Sequence, residues 1–449
     1  MYWKRISFCL CIYGILKEFR PSESYVIPFL QGPRMNFTEE QINNEILPIG
    51  IYSLMVSMIF VTLTTDLLRY KAVIVIQAIC GTVVYAILSL CTSFPSMIIV
   101  QILYGIFSAA EVGYYTYTYS VVDTKYYQTV TSHTRAAHLM GRFISSIVAQ
   151  LSISANIFDS YQLNFLTLGS LAAGLLWTTV LPSVEQKVIE PEAQKMTAMN
   201  IASLTPEEAE LEIAENETLQ KDTLPTNKDK INWFFKDSQI SWNYFQSLCE
   251  EYKNLQVLKW SFWIVLATCG FNQVLFYIQS LWESISHESC VEKNCQTYSE
   301  WNGAVDAIYT VISFCVTILC GKIAINVDKF GNFIILLSAI TQWATLYTSI
   351  LWNSIYISYI NFILYCTVYQ GMMTIASTEI AKCVNKDKHG FVFGTNNLLA
   401  AILQSLATLF MNSLGMSSSS KALFKWYAGY CFFIGICFLI IFIKQIIRK

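Results

Sequence analysis

The chain has 449 residues, of which 54% are hydrophobic and only 13% charged, half the ~25% charged share of soluble domains. A net charge of −2 excludes a nucleic-acid partner. Four histidines, and fourteen cysteines set mostly in apolar runs, exclude a zinc framework and imply no cofactor.

Long apolar runs recur from end to end, so the lipid bilayer is the expected solvent. Met1–Ile15 has Lys4 and Arg5 in front but no small-residue cleavage site, and reads as the start of a first span. Twelve spans follow from the pattern: 5–20, 47–66, 72–92, 97–121, 134–154, 163–182, 258–282, 301–325, 332–352, 355–380, 391–415 and 422–446. The expected fold is all-α, with a six-helix bundle over 1–182, a polar and partly disordered linker over 183–254, and a second six-helix bundle over 255–449. The linker is rich in Glu, Lys, Thr and Pro, with one short helix expected over Pro206–Gln220. Six spans, a linker and six spans is the layout of the major facilitator architecture, in which two halves rock about a central site.

Lys/Arg bias sets the orientation. Lys4, Arg5, Arg69, Lys71, Lys125, Arg135, Lys322, Lys329, Lys382, Lys386, Lys388, Lys444, Arg448 and Lys449 all fall on one side of a twelve-span chain, so both termini are expected in the cytosol. On the other side, Asn36-Phe37-Thr38 is a glycosylation sequon, and Cys290 and Cys295 are placed to form a disulfide. The sequon at Asn216 is expected to be silent in the linker. Asp66, Arg69 and Lys71 fit a charged cytosolic gate, or a plain positive-inside loop.

The stretch Gln101–Val122 is long enough to cross a bilayer, yet it carries Glu111 ~15 Å from either end. A carboxylate at that depth costs at least a few kcal/mol, about 2.5–3.5 kcal/mol on insertion scales, and needs a partner. At helical spacing Tyr104, Ser108, Glu111, Tyr115 and Thr118 form one stripe, with Tyr114 beside it. The stripe reads as a cation or proton site, or as a structural ion pair with a neighbouring helix. Arg142, two turns into the fifth span, is a candidate partner for Glu111, or snorkels to the interface. Arg20-Pro21-Ser22-Glu23 is expected near the outer surface, as a local pair or as solvated charges. Gln273 lies in Gly270-Phe271-Asn272-Gln273 of the seventh span. In the eighth, Asn302, Asp306, Tyr309 and Ser313 share a face. No nucleotide-binding loop and no nucleophile elbow is present, which disfavours ATP-driven transport and enzymatic chemistry and leaves secondary transport. A non-transporting receptor or scaffold is the reading from another class, and acids buried in both halves speak against it.

Several ordered strings resemble the reduced folate carrier and thiamine transporter family. They include Arg20-Pro21-Ser22-Glu23, Asn44-Glu45-Ile46, Asp66-x-x-Arg69-Tyr70-Lys71, Ala109-Ala110-Glu111-Val112, Gly270-Phe271-Asn272-Gln273-Val274-Leu275, Asn302-Gly303-Ala304-Val305 and Val392-Phe393-Gly394-x-Asn396. The resemblance implies a plasma-membrane carrier of a water-soluble B vitamin, working by alternating access. By resemblance to the thiamine branch, Glu111 faces the cationic vitamin, Tyr114 stacks on its ring, and Asn302 is a pocket contact. Gln273 and Tyr115 are further candidates, as are Glu23 and Arg142. Cation–π and stacking contacts of this kind contribute about 1–2 kcal/mol. Cys366 and Gln404 stand where folate carriers have basic residues, which favours thiamine. Two departures keep a folate carrier open as the alternative: Gly50 replaces a tryptophan of the thiamine branch, and Arg142 replaces a tyrosine.

Overall fold

The computed structural model describes residues 2–64, 70–111, 113–114, 117, 127–181, 250–291, 301–322, 327–352, 354–384 and 389–447. Among them there are helices and turns and no strand. That is the outcome lipid imposes on a chain this apolar, because a helix satisfies its backbone polar groups internally.

A helix lies on every one of the twelve expected spans. In the N-terminal part these are α1 (Tyr2–Glu18), α2 (Val26–Gln31), α3 (Leu47–Thr64), α4 (Tyr70–Leu90), α5 (Phe94–Ala109), α6 (Tyr127–Ser154) and α7 (Gln162–Trp177). In the C-terminal part they are α8 (Leu255–Val291), α9 (Asn302–Lys322), α10 (Val327–Leu351), α11 (Ile355–Cys383), α12 (His389–Ser413) and α13 (Ser420–Ile447). Seven helical stretches among the described residues are long and apolar enough to cross a membrane by themselves: Glu39–Val61, which runs into α3, and six within α4, α8, α9, α10, α12 and α13. The others fall short in length or carry polar residues on a face turned inward. Large apolar side chains point outward instead: Phe60 is 62% exposed and Phe433 59%, an inverted pattern that suits lipid contact.

Met1–Pro182 and Asn254–Lys449 together form one compact unit, and Ser183–Lys253 a second. Of the second, only Glu250–Lys253 are described, so the expected short helix and the Asn216 sequon lie outside the described residues. Within the first unit, α1 packs on α6 and α7, and α5 on α3 and α4; α8 packs on α11, α12 and α13, and α10 on α11 and α13. Helix pairs that cross between the halves include α6 with α9, α3 with α12 and α2 with α8. The α6–α9 crossing is close because Gly303 has no side chain: a Cβ there would lie 2.8 Å from the Ser146 carbonyl oxygen.

One expectation about continuity is extended and one corrected. The first helix ends near residue 20 as expected, but the chain does not leave the helical layer there. After α1 the backbone breaks at Arg20 (φ −126°, ψ 69°), passes through a 3-10 turn over Pro21–Tyr25, and resumes as α2. Pro21, which has no N–H to donate, sits at the start of that turn, where none is needed. The stretch Gln101–Val122 is not one continuous helix either. It stops at Ala109, and Ala110 forms a turn whose carbonyl accepts from the Gly113 N–H at 2.9 Å, an i→i+3 bond tighter than the α-helical spacing.

Polar bonds across the halves gather at the end carrying the loops expected outside. Ser24 Oγ donates to Asp306 Oδ2 at 2.7 Å, Tyr25 OH accepts from the Gly303 N–H at 3.4 Å, and the Gln150 side-chain oxygen accepts from the Ala304 N–H at 2.8 Å. Asn43 joins the seam from a π-helical turn over Ile42–Ile46, accepting from Ser280 Oγ at 2.9 Å and donating to Ser420 Oγ at 3.1 Å. π-Turns recur at functional positions because the extra residue re-aims a side chain.

Candidate functional site

The two helix breaks meet. Glu18 and Arg20 flank the first, Glu111 follows the second, and α4 and α6 supply the remaining walls. Glu111 Oε2 pairs with Lys17 Nζ and accepts from the Gln77 side-chain amide at 3.0 Å. Glu111 Oε1 makes no hydrogen bond among the described residues and faces His138 Nδ1 at 3.7 Å. Lys17 has a second carboxylate within reach, Glu18 Oε1 at 3.5 Å. Glu18 is held in turn by Arg20 at 3.1 Å and by His138 at 3.4 Å. Arg20 also pairs with Glu23 at 3.0 Å, and Glu23 accepts from Tyr104 OH at 2.6 Å. Both Lys17 and Glu18 are fully buried. Buried charges persist only when paired and hydrogen-bonded, and this chain of alternating signs supplies the pairing.

The Tyr114 ring completes the site. It is fully buried, its hydroxyl donates to the Leu10 carbonyl at 3.0 Å, and the Lys17 ammonium stands 4.5 Å from its centroid. Tyr13 packs beside it at 5.7 Å and bonds Gln77 at 3.1 Å, which fixes the amide that reaches Glu111. A carboxylate and an aromatic face thus enclose a cation, the arrangement that suits an organic cation. Within the ion-paired cluster, two cations (Lys17 and Arg20) face three carboxylates (Glu18, Glu23 and Glu111), with His138 beside them.

Of the residues singled out in the sequence, Glu111, Tyr114 and Glu23 are brought together. Of the two readings of Arg20–Glu23, the local pair is formed and the charges are not solvated at Arg20, whose side chain is 10% exposed. The Arg142–Glu111 pair is not formed among the described residues. Arg142 turns the other way, across the seam, with its guanidinium carbon 5.6 Å from the Tyr309 centroid, and Lys17 takes its place at the acid. Gln273 lies apart, donating to Gln404 O at 3.0 Å and Thr408 Oγ1 at 2.8 Å within the C-terminal helices. Asn302 sits at the start of α9, buried, accepting from Tyr359 OH at 3.0 Å, with its Nδ2 unbonded among the described residues. Lys71 donates to the Leu181 carbonyl at 2.5 Å. Asn36 is exposed in a left-handed turn (φ 53°), just before a capping box in which Thr38 and Gln41 satisfy each other's backbone N–H groups. Tyr115, Asp66, Arg69, the Cys290 side chain and Cys295 lie outside the described residues.

Sequence reasoning missed Lys17, Glu18 and His138. Two adjacent charges inside the first apolar run, and a histidine one turn before Arg142, were the available signals.

A family model described as the reduced folate carrier matches residues 1–420. "Folate transporter 1" of Caenorhabditis elegans is 29% identical over 454 residues, covering 100% of this chain and 94% of that protein. "Thiamine transporter 2" of Homo sapiens is 30% identical over 442 residues, covering 95% of this chain and 88% of its own. Among solved structures, the nucleoside transporter NupG superposes with a TM-score of 0.62 at 11% identity, over 97% of this chain and 99% of that one. A D-xylose–proton symporter gives 0.61 at 12% identity, over 98% and 96%. At these identities the likeness is one of helical fold alone.

Proposed function

Given that the chain belongs to the reduced folate carrier family, whose members are membrane transporters of small molecules, we propose that it carries thiamine into cells across the plasma membrane by alternating access. The observation that supports this best is the cation enclosed between Glu111 and the Tyr114 ring, in a region where carboxylates outnumber cations. A thiazolium brings the same charge, with an aromatic ring to stack on tyrosine. Clustering of the cross-half bonds at one end supports the rocking motion, since a carrier must seal one end while the other opens. The two halves, 1–182 and 255–449, are then the rocking bodies, with both termini cytosolic. The carrier has no enzymatic step and needs no cofactor.

Uptake of labelled thiamine and labelled reduced folate, compared in cells expressing the chain, tests the reading. Saturable thiamine uptake that falls at least tenfold in a surface-expressed Glu111→Gln variant is the expected result. The second reading is a folate carrier, favoured by the Arg142 guanidinium on the seam. Folate uptake that disappears in Arg142→Tyr, with no thiamine uptake, would establish it instead.

A further inference from the structure

Lys17 fills the position that a cationic substrate needs. Its ammonium lies against Glu111 Oε2 and over the Tyr114 ring, the two groups that would hold a thiazolium. It also has somewhere to go. Glu18 Oε1 is 3.5 Å away, and Glu18 is anchored by Arg20 and His138, so it is a fixed second acceptor. The flexible four-carbon stem of a lysine lets its ammonium pivot between two carboxylates without moving the helix. Glu111 cannot follow freely, because Gln77 donates to the same oxygen and is itself held by Tyr13.

We propose that Lys17 is a specificity-determining residue, a tethered counter-ion that an entering organic cation must displace from Glu111 onto Glu18. The inference rests on the thiamine reading. Displacement exchanges one cation on Glu111 for another, so charge alone gains an entering ligand little. What tips the exchange is the stacking on Tyr114 that a flat aromatic cation adds and a compact ammonium lacks. The tether therefore discriminates against compact cations by competition, a repulsive element built beside the attractive one. When the substrate leaves, Lys17 returns and the buried carboxylate is never left uncompensated.

The test is cellular uptake of labelled thiamine and of tetramethylammonium, with surface expression measured for every variant. Lys17→Gln keeps a hydrogen-bond donor near Glu111 and removes the charge. It is expected to lower the KM for thiamine at least fivefold and to admit tetramethylammonium, which the wild type excludes. Adding Glu111→Gln to Lys17→Gln is expected to abolish both effects. Lys17→Arg keeps the competing charge and grips a carboxylate with two parallel donors, so it is expected to raise the thiamine KM at least threefold. A thiamine KM that is unchanged or raised in surface-expressed Lys17→Gln, or unchanged or lowered in Lys17→Arg, would overturn the inference. In that case wild-type thiamine uptake sensitive to Glu111→Gln would leave the thiamine reading standing. No saturable thiamine uptake by the wild type or any surface-expressed variant would overturn both. If Lys17→Gln fails to reach the surface, Lys17→Arg decides alone.

Discussion

Glu18 is given no contact with the substrate, yet it is engaged as heavily as Glu111. It is buried against Lys17, Arg20 and His138. Removing one member of a buried ionic network strands its partners without solvent, at a cost of about 3–5 kcal/mol. Glu18→Gln is therefore expected to lower the melting temperature of the detergent-solubilised protein more than Glu23→Gln, since the Glu23 side chain is 35% exposed. Equal shifts would contradict the network. At this scale the sequence was only half legible. Glu111 stood out because it is a lone acid in an apolar run, and Tyr114 because it follows one turn later. Lys17 and Glu18 did not, because the first span was expected to end at residue 20 and charges near a span's end are ordinary. Nothing in one sequence says that residues 94 positions apart share a hydrogen bond. The same gap explains why Arg142 was matched to Glu111: depth was readable, direction was not.

Among the helices, the one apposition that sets the site is α1 against α6. It depends on Gly141. A Cβ at that position would lie 2.8 Å from the Ile15 carbonyl oxygen and 3.0 Å from Glu18 Cβ. The nearest of these atoms is backbone, so the helices themselves would have to part. Overpacking of this kind costs about 1–3 kcal/mol. Gly141→Ala is expected to reduce thiamine uptake several-fold at normal surface expression, by drawing His138 away from Glu18 and Glu111. Full uptake would show that the apposition has slack. The spans themselves were legible, because length and hydropathy decide them. The breaks were less so. Pro21 marks the first, but Ala109-Ala110 carries no breaker, and the turn there is a product of packing rather than of local propensity. Discontinuous helices recur where transporters bind ions, since a break lets backbone and charged side chains reach the interior together.

Across the whole molecule, the seam between the halves is closed at one end by short side chains and one glycine. Ser24, Tyr25, Gln150 and Asp306 bond across it, and Gly303 lets α9 touch the backbone of α6. A bulkier residue at 303 disfavours this conformation specifically. Gly303→Val is expected to raise the labelling of a Ser24→Cys reporter by a membrane-impermeant maleimide several-fold over the native-cysteine background. Unchanged labelling would mean that the seam does not open there. The succession of helices on either side of a polar stretch was legible from length and hydropathy. The closed end was not, because it is built from serines, asparagines and glutamines whose partners lie 154 to 377 residues away.

The central proposal is that Glu111 with Tyr114 is a site for an organic cation. Thiamine binding to the purified protein in lipid nanodiscs, titrated calorimetrically for the wild type and for Glu111→Gln, tests it most directly. The account predicts saturable binding to the wild type and at least a tenfold weaker affinity in the variant. Equal affinity in both, or binding of reduced folate with none of thiamine, would contradict it.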